Sequence, residues 1–307
     1  MTPLRCAVLS LSAACLALGL AVPTGPVRAE TVPQTGSETG PVPAPAGEAV
    51  ATGAETAALA VALRLDDLFA VLRDEGLAHG ATLAESMFAS GGGPGWATAL
   101  ERIYDAPALH DRFVAVLEAE LGTDPAALTE ILAFFASDLG ARVVGLEIAA
   151  RQAFLDEAAE EAARVAADKR RTGRDPRAGQ LDRFIVAGDL LEMNVAGALS
   201  GNLAFMTGLN AAGSAAKPGQ PEDELMQDVW SQEAQIRDDT ASWLDAYLGL
   251  AYQPLTEAEL DRYIAFMETP AGQRLNAALF VAFDEVFRQV SLDLGRAAGL
   301  AMQGRDI

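Results

Sequence analysis

Carboxylates carry most of the chemistry available to this chain. The sequence holds 43 Asp and Glu against 22 Lys and Arg, with only 2 His and 2 Cys. His79 falls on an apolar stripe with Leu65, Phe69, Leu72, Gly76 and Leu83, where a lone imidazole reads as a hydrogen-bonded core residue rather than a base or a ligand. His110, in ALHDRF, reads as solvated on a charged helix. No two histidines have the spacing of a zinc helix, no glycine-rich loop follows a strand to cradle phosphate, and no serine sits in a nucleophile elbow. The expectation is therefore no assembled catalytic residues, no cofactor site and no metal site.

Among the carboxylates, Glu192 stands out because it falls amid the stripe formed by Leu181, Ile185, Leu199 and Leu203. Its counterpart 117 positions earlier is Glu75, nearer a stripe edge. A half-buried carboxylate needs a cation or has its pKa raised, and either outcome serves structure or catalysis. Arg142 and Arg274 are the candidate partners, although each lies off the main apolar stripe of its helix. A structural ion pair is the favoured reading. Glu85, in LAESMF, is the remaining candidate for a general acid.

The elements that would position these groups are helical. Apolar residues recur three or four apart along the body, as in Leu279, Ala282, Phe283, Val286 and Val290, and runs of period two are absent. Starts are legible at Asp124-Pro125, at the capping box Thr256 with Glu259, and at Thr269-Pro270. The spacing predicts eight to ten helices in an all-α bundle built from two related halves packed on each other. The doubling is read from a repeated phrase, LAFFASDLGARV at 132–143 and IAFMETPAGQRL at 264–275, which share Ala, Phe, Gly and Arg at an offset of 132. A second echo, GATLAESMF at 80–88 and GALSGNLAF at 197–205, has an offset of 117. Each repeated phrase reads as a helix corner, with Ser137 or Thr269 as cap and Gly140 or Gly272 where another backbone passes close by. The small-residue pairs Gly197/Gly201 and Gly80/Ala84 read as helix crossings.

The ends of the chain differ from this body. Residues 1–29 have a single arginine, then an uncharged apolar run, then Val-Arg-Ala, the pattern of a signal peptide cleaved after Ala29. A lipoprotein reading through Cys15 is the lesser alternative. Removal takes both cysteines and two arginines, moving the formal charge from −21 to −23. Such an excess repels nucleic acid and anionic surfaces. Residues 30–52, rich in Pro, Gly, Thr and Glu, read as a disordered tether. The first helical half is expected over 53–172 and the second over 173–307, joined by RRTGRDP. Met193 to Ala216 is uncharged, but Asn194, Asn202 and Asn210 argue against membrane insertion of the mature chain.

The segment LTEAELDRYIAFMETPAGQRLNAALF, with Thr256, Glu259, Phe266, Thr269, Pro270, Gly272 and Arg274, resembles the DUF2059 family of helical domains in exported bacterial proteins. The resembling module spans about residues 243–299, and the first copy departs by Asp138-Leu139 in place of Pro-Ala. The resemblance implies an exported helical fold and implies no activity. The functional expectation is a secreted, periplasmic, non-enzymatic module that binds a protein partner or an apolar ligand between its halves. The alternative is a cell-envelope glycan hydrolase, because Glu85-Ser86 is similar to the dipeptide of lytic transglycosylases. The Ala-Tyr-Asn-x-Gly phrase of those enzymes is missing.

Overall fold

Side-chain caps and left-handed residues decide where this chain turns. The computed structural model describes residues 46–88, 92–213 and 221–304, and all regular structure among them is α-helical. The helices are α1 (Ala46–Ala62), α2 (Leu65–Met87), α3 (Gly93–Ile103), α4 (Ala106–Leu121), α5 (Pro125–Phe135), α6 (Asp138–Ala153) and α7 (Glu157–Gly173). They continue as α8 (Pro176–Ala187), α9 (Leu190–Ala211), α10 (Glu222–Trp230), α11 (Glu233–Ala251), α12 (Glu257–Met267) and α13 (Pro270–Met302). The chain is thus an all-α bundle, with more helices than the eight to ten expected from periodicity.

The expected caps form. Asp124 accepts from Ala127 N at 3.0 Å, Ser137 Oγ from Gly140 N at 3.1 Å, and Thr269 Oγ1 from Gly272 N at 3.0 Å. Thr256 and Glu259 make the reciprocal capping box. Each such cap stabilises its helix by about 1 kcal/mol. Two breaks carry no such signal: Arg64 (φ 52°) before α2 and Asp189 (φ 49°) before α9 adopt the left-handed conformation, which is uncommon for residues with a Cβ. They separate α1 from α2 and α8 from α9. Leu181 lies inside α8. The residue that takes the place of Leu65 after a left-handed turn is Leu190.

The packing of the first seven helices is followed closely by that of the rest. α1 packs on α4 and α5, and α2 on α3 and α4; likewise α8 packs on α11 and α12, and α9 on α10 and α11. The helix after each corner reaches across, α6 onto α11 and α12, α13 onto α4 and α5. A main apolar core results, running from Leu59 to Ala298 and including fully buried side chains such as Phe113, Leu128, Leu260 and Phe283, with two small clusters beside it, Ala163/Ala167/Ala246 and Val195/Leu199/Val229. Each of these contributes about 1.5–3 kcal/mol by leaving water. α9 and α13 approach most closely: a Cβ at Gly208 would collide with the Leu292 carbonyl, and one at Gly295 with the Phe205 carbonyl. This crossing is tighter at Gly208 than at Gly201, where a Cβ would come no nearer than 3.3 Å, to the side chain of Ser291.

The stretch expected to be a signal peptide, and most of the stretch expected to be a tether, lie outside the described residues. α1 nevertheless starts at Ala46, inside the stretch expected to be tether. Past Pro45 that stretch is Ala-rich and free of proline, so its helix propensity is high, and Leu59 anchors the helix in the core. No single helix among the described residues is long and apolar enough to cross a membrane; α8 and α9 pass that test only as a pair bent by 56°.

Candidate functional site

The two copies of the repeated phrase meet. Phe134 and Phe266, equivalent at the 132 offset, stack with ring centroids 3.9 Å apart and planes 7° from parallel. Phe135 meets Phe266 edge-on at 5.7 Å, and Tyr263 stacks on Phe134 at 5.7 Å. The corners that carry them are tight because Gly140 and Gly272 lie against the carbonyls of Phe134 and Phe266, where a Cβ would collide. This is the close backbone passage expected from the matched glycines.

The two arginines of the phrases now have a structural role. Arg142 donates to Glu259 Oε1 at 2.7 Å and to the Pro254 carbonyl at 2.6 Å, clasping the turn that opens α12. Arg274 donates to the Glu120 carbonyl and to Thr123 Oγ1 at 2.8 Å, clasping the turn that opens α5. Each arginine therefore holds the other copy's entry turn. The hydrogen bonds of the capping box and the nearby Arg142 hold the exposed Glu259 carboxyl below its ordinary pKa.

Beneath the stacked rings lies an apolar pocket at the junction of α1/α2, α5/α6 and α12/α13. Leu63, Leu65, Leu68, Phe135, Val144, Ile148, Met267, Leu275 and Phe283 line it, together with Glu147, Tyr263, Asn276 and Leu279. Its cavity volume is about 50 Å³. All the lining residues are buried except Leu279, which is half-buried and marks the mouth.

Two polar side chains interrupt this apolar wall. Asn276 is 1% exposed, and neither its Nδ2 nor its Oδ1 has a hydrogen-bond partner. Glu147 is 4% exposed. Its Oε1 accepts from Tyr252 at 2.5 Å and from Tyr263 at 3.2 Å, and its backbone carbonyl accepts from Tyr247 at 2.9 Å. Burial pushes the carboxyl up to about 7, against the opposing pull of the two phenols. With Oε1 occupied as an acceptor, the proton of the neutral acid resides on Oε2. The three tyrosines are in turn driven above the ordinary phenol range by burial and the adjacent carboxyl. One turn along α6, Arg151 is 2% exposed and pairs two-pronged with Glu75, Nη2 to Oε2 at 2.9 Å and Nε to Oε1 at 2.8 Å. That pairing commits the buried guanidinium to Glu75.

The groups singled out in the sequence fare differently. Glu75 is a structural ion-pair partner, as favoured, but its cation is Arg151 rather than Arg142 or Arg274. Glu192 is not shielded: its side chain is 54% exposed and bonds to Arg237, which lowers its pKa. The stripe that enclosed it was counted straight through Asp189, where the helix is broken, so Leu181 and Ile185 lie on a different helix from Leu199 and Leu203. Glu85 and Ser86 are exposed on α2. His79 is half-buried and makes no hydrogen bond to another described residue, and burial lowers its pKa. His110 is more enclosed than expected: it meets Phe69 edge-on at 6.0 Å and lies 3.7 Å from Asp66. Among the described residues, no three His, Cys, Asp or Glu side chains gather to hold a metal.

Glu147, Asn276 and the tyrosines were not among the sequence candidates. A signal for Glu147 existed, since Val143, Val144, Glu147, Ile148 and Arg151 fall on one face of α6 and all are buried. A carboxylate on such a stripe with an arginine four residues later is a recognisable pattern.

Comparison with curated proteins and with solved structures finds no match. A family model does match, and it covers the segment around the first phrase, 132–143, rather than the 243–299 segment that carries the resemblance. The second copy differs there in that α13 runs unbroken for 33 residues, whereas the first copy breaks at Leu155–Asp156 between α6 and α7. Residues 107–169, from the first turn of α4 to near the end of α7, match DUF2059, described as an uncharacterized protein conserved in bacteria.

Proposed function

We propose that this chain is a non-enzymatic, exported binding module whose pocket beneath the paired corners takes a slender apolar ligand. The observation that carries this reading is the apolar wall from Leu63 to Phe283 with the unpartnered amide of Asn276 set in it. Interiors are close-packed and buried polar groups are paired. A site that breaks both rules at once is a candidate ligand site. Export is supported by the charge and apolar pattern of residues 1–29, and the acidic balance disfavours nucleic acid as partner. The glycan-hydrolase alternative draws no support from Glu85, which is exposed on α2.

We infer further that the halves are related by duplication. In support stand the reciprocal clasps of Arg142 and Arg274, the left-handed turns before α2 and α9, and the parallel order of helix packing. The binding reading is tested by thermal unfolding of the purified protein with a panel of straight-chain aliphatic compounds, since a ligand of the native state raises its melting temperature. Wild type is expected to be stabilised and the mouth variant Leu279→Trp to lose the effect. A wild type that responds to no member of the panel would refute the reading.

A protein partner, the other expected occupant, has one observation in its favour. Trp230 is 57% exposed and Met226 38% exposed on α10, and exposed aromatic and Met side chains are enriched at interfaces. A photo-crosslinker at position 230 in intact cells would capture that partner, and its failure to give any discrete adduct would remove this reading.

A further inference from the structure

We infer that the pocket selects ligands with an uncharged hydroxyl or carboxylic acid at one end of a straight aliphatic chain, through Asn276 and Glu147. This rests on the binding reading above and adds the chemistry of the ligand's head.

The argument comes from comparing the two copies position by position. At the 132 offset Asn276 stands opposite Val144, and Leu279 opposite Glu147. All four line the same pocket. Each copy therefore supplies one apolar and one polar side chain at matching places. An apolar solution to the amide's place exists in the same molecule as Val144, so the fold does not require an amide there, whereas the carboxyl of Glu147 is tied to Tyr252 and Tyr263. Leaving an amide buried without partners is destabilising, which makes its retention a pointer to something that completes it.

The donor and acceptor inventory then limits what fits. Asn276 offers two N–H donors and a carbonyl acceptor. Tyr252 and Tyr263 both occupy Glu147 Oε1, and Oε2 has no hydrogen-bond partner among the described residues. A hydroxyl can both donate and accept, and a protonated carboxylic acid can do the same in two-pronged fashion with an amide. No arginine or lysine lines the pocket to receive a carboxylate or phosphate head. An ammonium head would have to hold Glu147 ionised in an apolar wall, where a charge is costly. The remaining surface is apolar, Leu, Val, Ile and Met side chains with Phe135 and Phe283, and suits a hydrocarbon chain.

The test compares octanol, octane, octanoic acid and octylamine by calorimetric titration into the purified full chain, in wild type and Asn276→Leu, below and above neutral pH. Octanol is expected to bind wild type about tenfold or more tightly than octane, as one hydrogen bond to an otherwise unpaired buried group allows. In Asn276→Leu that preference should shrink to about twofold or less while octane binding persists. Octanoic acid should bind only below neutral pH. Asn276→Leu is expected to melt no lower than wild type, which establishes that it folds; should it fail to fold, Asn276→Val, which copies the residue at 144, is measured in its place. Equal binding of octane and octanol to wild type would overturn this inference and leave the binding reading standing. Preference for octylamine would also overturn it. Absence of binding by all four would overturn both.

Discussion

Replacing Glu147 by Gln should make the protein more stable above neutral pH and leave it nearly unchanged in acid. Gln preserves the side-chain shape and a carbonyl oxygen for Tyr252 and Tyr263, and it removes only the ability to ionise. In the fold the carboxyl is raised from 4.5 to about 7 by burial. The unfolded chain releases this proton near 4.5, whereas the native state keeps it until about 7. Between those values the native state binds more protons, so Glu147's contribution to stability falls as pH rises through the window. Below 4.5 the acid is neutral in both states and its contribution is fully present. Above about 7 the loss is complete and levels off. A shift of this size corresponds to about 3 kcal/mol at 1.36 kcal/mol per unit. The measurement is urea unfolding of wild type and Glu147→Gln at a series of pH values, taking the difference in unfolding free energy at each. That subtraction removes the contributions of Glu192, Asp189 and the other titrating groups common to both proteins. A difference that does not change with pH, or one that favours wild type increasingly as pH rises, would refute the reasoning, because it would mean the carboxyl is not held neutral.

Three other perturbations probe the frame around the pocket. Arg151→Met should cost about 3 kcal/mol in urea unfolding, because it leaves Glu75 without its cation at the edge of the core, and Glu75→Gln in the same background should recover part of the loss. A double-mutant cycle on Phe134→Leu and Phe266→Leu should give a coupling of about 0.5–1.5 kcal/mol, since the rings stack directly on each other; independent effects would show that the corners do not support one another. Gly272→Ala should destabilise by about 1–3 kcal/mol, despite alanine's better helix propensity, because its Cβ meets the Phe266 carbonyl. A gain in melting temperature for that variant would contradict the corner geometry.

The parts of this structure that were legible in the sequence are those settled within one turn of helix. Thr256 with Glu259, Asp124 with Ala127, and Thr269 with Gly272 are contacts over three residues, and each forms as its residue types dictate. The matched glycines could also be read, since a glycine early in a helix loses propensity unless something crowds it. What failed was periodicity extended through a break. The left-handed residue before α9 is Asp189, and the stop signal beside it, Gly188 as the C-cap of α8, is a glycine that the stripe count ran through. With that break unseen, Glu192 was placed among Leu181 and Ile185, side chains that belong to a helix bent away by 56°. The same cause inflated helix length and reduced helix number.

The candidate site was not legible because it is assembled from contacts more than a hundred residues apart. Glu147 meets Tyr252 and Tyr263 only when α6 crosses onto α11 and α12, and Asn276 faces the same space only when α13 crosses back. Sequence repetition did, however, indicate where to look. Two copies of one corner, joined by stacked phenylalanines and by arginines that each clasp the other's turn, place equivalent positions on either side of a common space. In such an arrangement the conserved-in-place apolar residues explain the fold. Where the segments after the two phrases differ, Val144 against Asn276 and Leu279 against Glu147, the carboxyl is tied to Tyr252 and Tyr263, whereas the amide of Asn276 has no hydrogen-bond partner. An unpartnered buried amide does not hold the pocket together, and the proposed ligand is what would complete it.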